Sequence, residues 1–279
     1  MKIGIIIPYR DRKQHLEKFI PIIKDRLEKQ NLEYEIIVVE QSNNIFFCRS
    51  KLLNIGAKNI YDKVDYFCFH DVDLIPDIDA DYTIDNHKVI HNIKYLIDNK
   101  NHIINDNNID VNLNLSNIEY YDLFNIKYSK KKLLGGVSII NKEIWKNNQW
   151  NEIFQGWGFE DAEYYQRLES NKISIVRKQN KYLSLYHPEY QSNNFIYEEI
   201  KLFFFIQINK ILFYYSKNSR KFYIKDTDYK VKYLKKEKDY TLLSVDFDYN
   251  YYPLLLIFFE NIIFILFLIS FFIYIFYIY

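Results

Sequence analysis

Residues 66–73 read Tyr-Phe-Cys-Phe-His-Asp-Val-Asp, an apolar run that stops abruptly in two carboxylates one residue apart. Four such residues are too few for a stable helix and suit a buried strand, so Tyr66–Phe69 is expected to be a strand ending at His70-Asp71-Val72-Asp73. Upstream, the pattern alternates. Ile3–Ile7 reads as a fully buried strand closed by Pro8. Leu16, Phe19, Ile20, Ile23 and Leu27 then recur on one face of a helix, in which Pro21 predicts a kink or a late start. Tyr34–Val39 reads as a second strand and Arg49–Asn59 as a second helix, carrying Leu52, Leu53 and Ile55-Gly56. This β-α-β-α-β order implies an α/β chain with a parallel sheet and crossover helices. Ligands of such sheets bind beyond the carboxyl ends of the strands. Pro8-Tyr9-Arg10, Gln41-Ser42 and Asp71-Val72-Asp73 all fall at that rim.

Asp71 and Asp73 are suited to place a divalent cation against a diphosphate, where it neutralises charge on a departing group. Two carboxylates alone are also a common loop pattern; their place at a strand end is what sets them apart. A second constellation is Gly156-Trp157-Gly158-Phe159-Glu160-Asp161, which holds two of only 6 glycines. Glycines around a Trp permit a tight backbone and close ligand approach, and Glu160 or Asp161 can act as a general base toward a hydroxyl. The plain alternative is a helix start with favourable acids and a core Trp. Arg10, Arg12 and Arg49 are either phosphate-binding guanidiniums or solvated charges, and His187 either a metal ligand or a structural histidine.

Composition narrows the function classes. The chain of 279 residues carries 37 basic and 36 acidic side chains for a net charge of +1, without the basic excess of a nucleic-acid-binding protein. Cys48 and Cys68 make neither a metal-ligand spacing nor a disulfide framework, as in a reducing compartment. No secretory signal pattern opens the sequence. No Gly-rich phosphate loop follows the first strand, which argues against a nucleotidyltransferase. Residues 85–130, rich in Asn and Asp, read as a variable surface excursion. The last stretch differs in kind: Asn261–Tyr279 is 19 residues without a charge. As a helix that is about 28 Å, bilayer thickness. Residues 253–279 are therefore expected to form a C-terminal hydrophobic helix that anchors the protein in a membrane by its tail. The basic stretch Arg220–Lys238 puts the catalytic domain, 1–250, on the cytosolic side.

Five stretches occur in an order that resembles the β-1,4-galactosyltransferase family, the inverting glycosyltransferases of family 7. They are IIIPYRDRKQHL at 5–16, FFCRSKLLNIGA at 46–57, FHDVDLIP at 69–76, LGGVSIINKEIW at 134–145 and GWGFEDAEYYQRL at 156–168; 239–247 also looks like the family's last strand. The resemblance implies the GT-A nucleotide-diphospho-sugar transferase fold, a mostly parallel central sheet flanked by helices. It implies transfer of galactose or N-acetylgalactosamine from a UDP-sugar to a sugar hydroxyl of a glycoprotein, glycolipid or polysaccharide, with Mn²⁺ as cofactor. Carried over residue by residue, Pro8, Tyr9, Arg10, Arg12, Phe47, Arg49, Asp71, Val72, Asp73, Gly136 and Trp157 would bind the donor. Asp73 and His187 would ligate Mn²⁺. Gly158, Phe159, Glu160 and Asp161 would face the acceptor, with Asp161 as the catalytic base and Glu160 beside it.

Four positions depart from the family's pattern. Ser184 stands where a Met ligand is common, Phe159 where a second Gly is usual, and Ala162 where a further acid is usual. Leu133 replaces a Tyr of galactose-specific members, which opens space for an N-acetylated donor sugar. These departures also motivate the alternative of a catalytically degenerate, membrane-attached binding protein.

Overall fold

Ile3, Ile5, Ile6 and Ile7 each have 0% exposure, so the first strand is covered on both faces, as an isoleucine-rich run interrupted only by Gly4 requires. A computed structural model describes residues 1–43, 45–83, 89–92, 95–99, 104–116, 132–156, 158–186, 206–215 and 228–248. It opens with β1 (Lys2–Tyr9), α1 (Lys13–Lys29), β2 (Glu33–Gln41), α2 (Arg49–Ile60) and β3 (Tyr66–His70), the alternation that the hydrophobic pattern predicts. β1 lies between β2 and β3 and is parallel to both, with Ile5 paired to Ile36 and Cys68. Pro8 does not close β1. Pairing with β3 ends at Ile6↔Phe69, whereas pairing with β2 continues through Pro8↔Val39 to Tyr9↔Glu40; beyond Ile6 the strand has one bonded side, where proline is tolerated. α1 runs on through Pro21, which lies on its exposed face and withholds one helical N–H, while Leu16, Phe19, Ile20, Ile23 and Leu27 are buried. α2 rides directly on the sheet: a Cβ at Gly56 would lie 2.5 Å from Ile6 Cγ2 and 2.9 Å from Val39 Cγ2.

The chain continues through β4 (Leu74–Pro76), β5 (Val89–His91), β6 (Tyr95–Asp98), β7 (Val137–Asn141), α3 (Lys142–Asn147) and α4 (Glu160–Ser170). β8 (Ile175–Arg177), β9 (Lys181–Ser184), a helix over 206–215, β10 (Lys230–Lys236) and β11 (Thr241–Asp246) follow. Among the described residues the strands form a sheet ordered β10-β11-β2-β1-β3-β7-β5-β8 and a smaller one ordered β4-β9-β6.

Among the described residues the large sheet is mixed, with four of its seven strand pairings parallel, in keeping with the mostly parallel expectation. β11, β2, β1 and β3 run parallel, but β7 is antiparallel to both β3 and β5, and β10 to β11. Asp71 N–H donates to the Gly136 carbonyl at 3.0 Å. The chain thus enters β7 at the carboxyl end of β3 and returns antiparallel beside it. The supposed surface excursion 85–130 also reaches the interior. It supplies β5, inserted between β7 and β8, and the buried Ile109, Leu113 and Leu115. A strand of three residues is too short to leave a legible period.

The tail-anchored localisation is corrected as well. Among the described residues no helix is long and apolar enough to cross a membrane, and 253–279, on which the hydrophobic helix was expected, lies outside them. Apolar length alone permits a span, and no helix among the described residues supports the anchor. Contacts divide the chain into Met1–Phe247 and Asp248–Tyr279; of the second unit only Asp248 is described.

Candidate active site

Because β1, β2 and β3 are parallel, their carboxyl ends share one rim, and Arg10, Gln41 and Asp71 emerge there. Arg49, the first residue of α2, reaches across to β3: its Nε donates to Asp71 Oδ1 at 2.8 Å. The guanidinium lies 5.2 Å from the centre of the Trp150 ring. Trp150 is fully buried, meets Phe69 edge-on at 5.5 Å and stacks on Tyr164 of α4 at 4.0 Å. Asn54 fastens the same segment, accepting from Trp150 N–H at 3.0 Å and donating to its carbonyl at 2.9 Å. Trp150 thus joins α2, β3 and α4, and it was legible in the sequence only as one of 3 tryptophans.

α4 brings Glu160 and Asp161 to this arginine. Burial disfavours the charge of Arg49, but Asp71, Glu160 and Asp161 outweigh it and raise its pKa. Burial likewise pushes the Asp71 carboxyl up against the pull of Arg49, with Asp73 and Asp161 adding repulsion. Nη1 and Nη2 of Arg49 are both buried without a hydrogen-bond partner among the described residues. Two donors in that state suit an anionic oxygen-rich group, since an unmatched buried donor is costly. Asp73 is the largest charge acting favourably on Arg12, whose pKa burial lowers.

The Asp161 carboxylate is hydrogen-bonded at one oxygen and packed over Gly135 at the other. Oδ1 accepts from Ala162 N–H at 2.8 Å. Oδ2 lies over Gly135, where a Cβ would come within 2.6 Å of it. Leu134 N–H donates to the Asp161 carbonyl at 3.2 Å. The Gly135 carbonyl is in turn bonded by His91 Nε2 at 3.0 Å. A carbonyl only accepts, so this nitrogen carries the proton, and burial keeps the ring neutral by lowering its pKa to about 4. His91 was missed by sequence reasoning because it lies on the short strand β5.

Glu160 is pushed up to about 7 by burial first and by Asp161 second, with Arg49 opposing. Its folded pKa lies above the ordinary 4.5, so between these values the folded chain keeps a proton that the unfolded chain releases. Stability therefore falls as pH rises across that window, and the loss is complete above it. Melting temperatures taken from pH 5 to pH 8 are expected to show this decline relative to Glu160→Gln; parallel curves for the two proteins would refute it.

The backbone before α4 is unusual. Gly156, Gly158 and Phe159 all have positive φ, at 71°, 100° and 74°. For Phe this is a strained conformation, and it occurs where the family resemblance implies Gly. The Phe159 ring packs against Phe213 of the 206–215 helix at 5.5 Å, and Asn209 of that helix donates to the Gln155 carbonyl at 2.8 Å.

Other expected site residues are placed differently. Tyr9 and Val72 are buried among the core side chains, and Pro8 is buried within β1. Arg10 donates through Nη1 to the Ile45 carbonyl at 2.5 Å and lies 5.4 Å from the Phe47 ring centre. A cavity of about 450 Å³ lined by Arg10, Glu40, Gln41, Tyr233 and Asp246 opens beside it, on the β2–β11 side of the rim rather than over Asp71. Phe47 accepts from Gly156 N–H at 3.0 Å. Gly136, with φ 79°, acts through its carbonyl on Asp71 N–H. Among the described residues no three metal-ligating side chains cluster; Trp157 and His187 lie outside them. The chain leading to His187 does pass the acidic turn, since Leu185 N–H donates to the Asp73 carbonyl at 2.7 Å and Ser184 pairs with Leu74.

A β-α-β-α-β half-sheet with an arginine–carboxylate cluster at its carboxyl rim defines an α/β chain of GT-A-like fold. Residues 1–84 match the family described as the N-terminal region of glycosyl transferase group 7, and residues 118–188 the one described as the N-terminal domain of galactosyltransferase. The chain is 28% identical over 207 residues to β-1,4-galactosyltransferase 4 of Cricetulus griseus, covering 72% of this chain and 53% of that protein. It is 33% identical over 179 residues to β-1,4-galactosyltransferase 1 of Bos taurus, covering 63% and 38%. It therefore spans about half or less of these relatives' length. A Drosophila β-1,4-galactosyltransferase 7 variant, solved with manganese, UDP-Gal and xylobiose, shares the fold at TM-score 0.60 and 20% identity, over 90% of this chain and 96% of that one. The chain belongs to the glycosyl transferase group 7 family.

Proposed function

We propose that this chain is an inverting, Mn²⁺-dependent glycosyltransferase, moving galactose or N-acetylgalactosamine from a UDP-sugar to a hydroxyl of a glycan acceptor. The observation that carries this reading is Arg49, fixed to Asp71 through Nε, with two buried Nη nitrogens that have no partner among the described residues and three carboxylates acting on it. Those donors fit a diphosphate. Arg12, beside Asp73, adds a second cation, and Phe47 at the same rim offers a ring to the nucleoside.

Asp73 supplies a hard oxygen donor of the kind Mn²⁺ takes, and the chain passing it leads within two residues to His187, a suitable nitrogen ligand. Bound there, the ion would neutralise charge on the diphosphate. Asp161, oriented by its own helix amide and by Gly135, accepts the proton of the acceptor hydroxyl. The hydroxyl oxygen forms a bond to C1 of the sugar as the C1–O bond to UDP breaks, and the leaving diphosphate oxygen keeps the electron pair. Attack from the opposite face inverts the anomeric centre. Half-buried Leu133, near this turn, leaves the choice between a hydroxyl and an acetamido group at C2 open to both donors.

The test is UDP release by the purified chain with Mn²⁺, UDP-Gal or UDP-GalNAc, and a panel of sugar acceptors. Acceptor-stimulated release that chelation abolishes is expected. UDP binding without turnover for any donor would overturn the catalytic reading in favour of a degenerate binding protein.

A further inference from the structure

Gln41, the last residue of β2, is 1% exposed, and both ends of its amide are used on the segment that follows. Nε2 donates to the carbonyls of Ile45 at 3.1 Å and Phe46 at 3.0 Å and to Asn43 Oδ1 at 3.1 Å. Oε1 accepts from Cys48 N–H at 2.9 Å. This one side chain thereby grips the backbone on both sides of Phe47, up to the residue before α2. Arg10 grips the same segment from β1, through the Ile45 carbonyl and the face of Phe47. An apolar side chain would serve the interior at this position equally well. A buried amide is retained without cost only where all its hydrogen bonds are met, and here they are met by a connection that has no ladder of its own.

We propose that Gln41 is the positioning residue of the nucleotide side of the donor site. It holds Phe47 toward the nucleoside of a pyrimidine nucleoside diphosphate. This rests on the donor-site reading above and adds to it a residue that touches neither the nucleotide nor the sugar. Loss of the amide lets the segment relax, so nucleotide affinity falls while the acceptor side, built on α4 and Gly135, stays as it is.

The experiment is calorimetric titration of UDP with Mn²⁺ into the wild-type chain, Gln41→Met, Gln41→Glu, Phe47→Ala and the double variant Gln41→Met/Phe47→Ala, with melting temperatures for each. Gln41→Met is expected to weaken UDP about 10-fold, the scale of one or two lost hydrogen bonds. In the Phe47→Ala background the same change is expected to add little, because both act through one ring. Gln41→Glu keeps the acceptor for Cys48 N–H and loses the donors, so it follows Gln41→Met. In turnover, the UDP-sugar KM rises and the acceptor KM is unchanged. Wild-type chain that fails to bind UDP removes the donor-site reading itself. Wild-type binding together with undiminished UDP affinity in the folded Gln41 variants, or losses that multiply in the double variant, overturns the role of Gln41. Unfolding of both Gln41 variants overturns it too, since the amide would then be holding the sheet.

Discussion

Asp161→Asn is expected to lower acceptor-dependent turnover by about 10²–10⁴-fold, the range a positioned general base contributes, while leaving the fold and UDP affinity intact. Asparagine keeps an oxygen for the Ala162 amide, so the rotamer seen for Asp161 survives. Its –NH₂ replaces the oxygen over Gly135 and cannot accept a proton. Removing this charge also relieves repulsion on Glu160 and Asp71, both of which Asp161 pushes up. The melting temperature is thus expected to hold or rise above neutral pH. Steady-state kinetics with saturating UDP-Gal and Mn²⁺, beside a thermal melt, separates the two effects. Retained turnover in a folded variant would show that another group takes the proton.

Gly135→Ala should cost about 10²-fold in kcat through geometry alone, the penalty of misplacing a reacting group by about 1 Å. The added Cβ would come within 2.6 Å of Asp161 Oδ2, closer than carbon and oxygen can approach. Gly135 is not among the residues with positive φ, so its backbone accepts alanine. The strain therefore falls on the carboxylate, which must turn away from the cleft. Donor affinity is expected to stay unchanged, because Arg49 and Asp71 lie on other elements. A loss of stability with unaltered kcat would place the accommodation in the backbone and contradict this account.

Both residues show how far the sequence could be read. Asp161 was legible because two glycines and two acids around Trp157 stand out in a chain with 6 glycines. Gly135 was visible only as part of a matching stretch, since nothing local tells that its missing Cβ makes room for a side chain 26 positions on. Arg49 was an ambiguous guanidinium until α2 brought it to Asp71 and to the Trp150 ring, with its terminal nitrogens buried and without a partner among the described residues. Arg10 was expected at the nucleotide, and its contacts brace the segment around Phe47, another residue expected there.

The sequence by itself determined the first half of the sheet and its rim. Buried strands and one-sided helices are written in local periodicity, and a parallel alternation puts successive strand ends on one edge. Tertiary structure decided whatever depends on residues far apart in the chain: the antiparallel return of β7, the insertion of β5 with His91, and the packing of Trp150 between three elements. It also decided which of the acids at that rim face the same arginine. Charge interactions follow distance in space, and Asp71 and Asp161 are neighbours only after α4 docks.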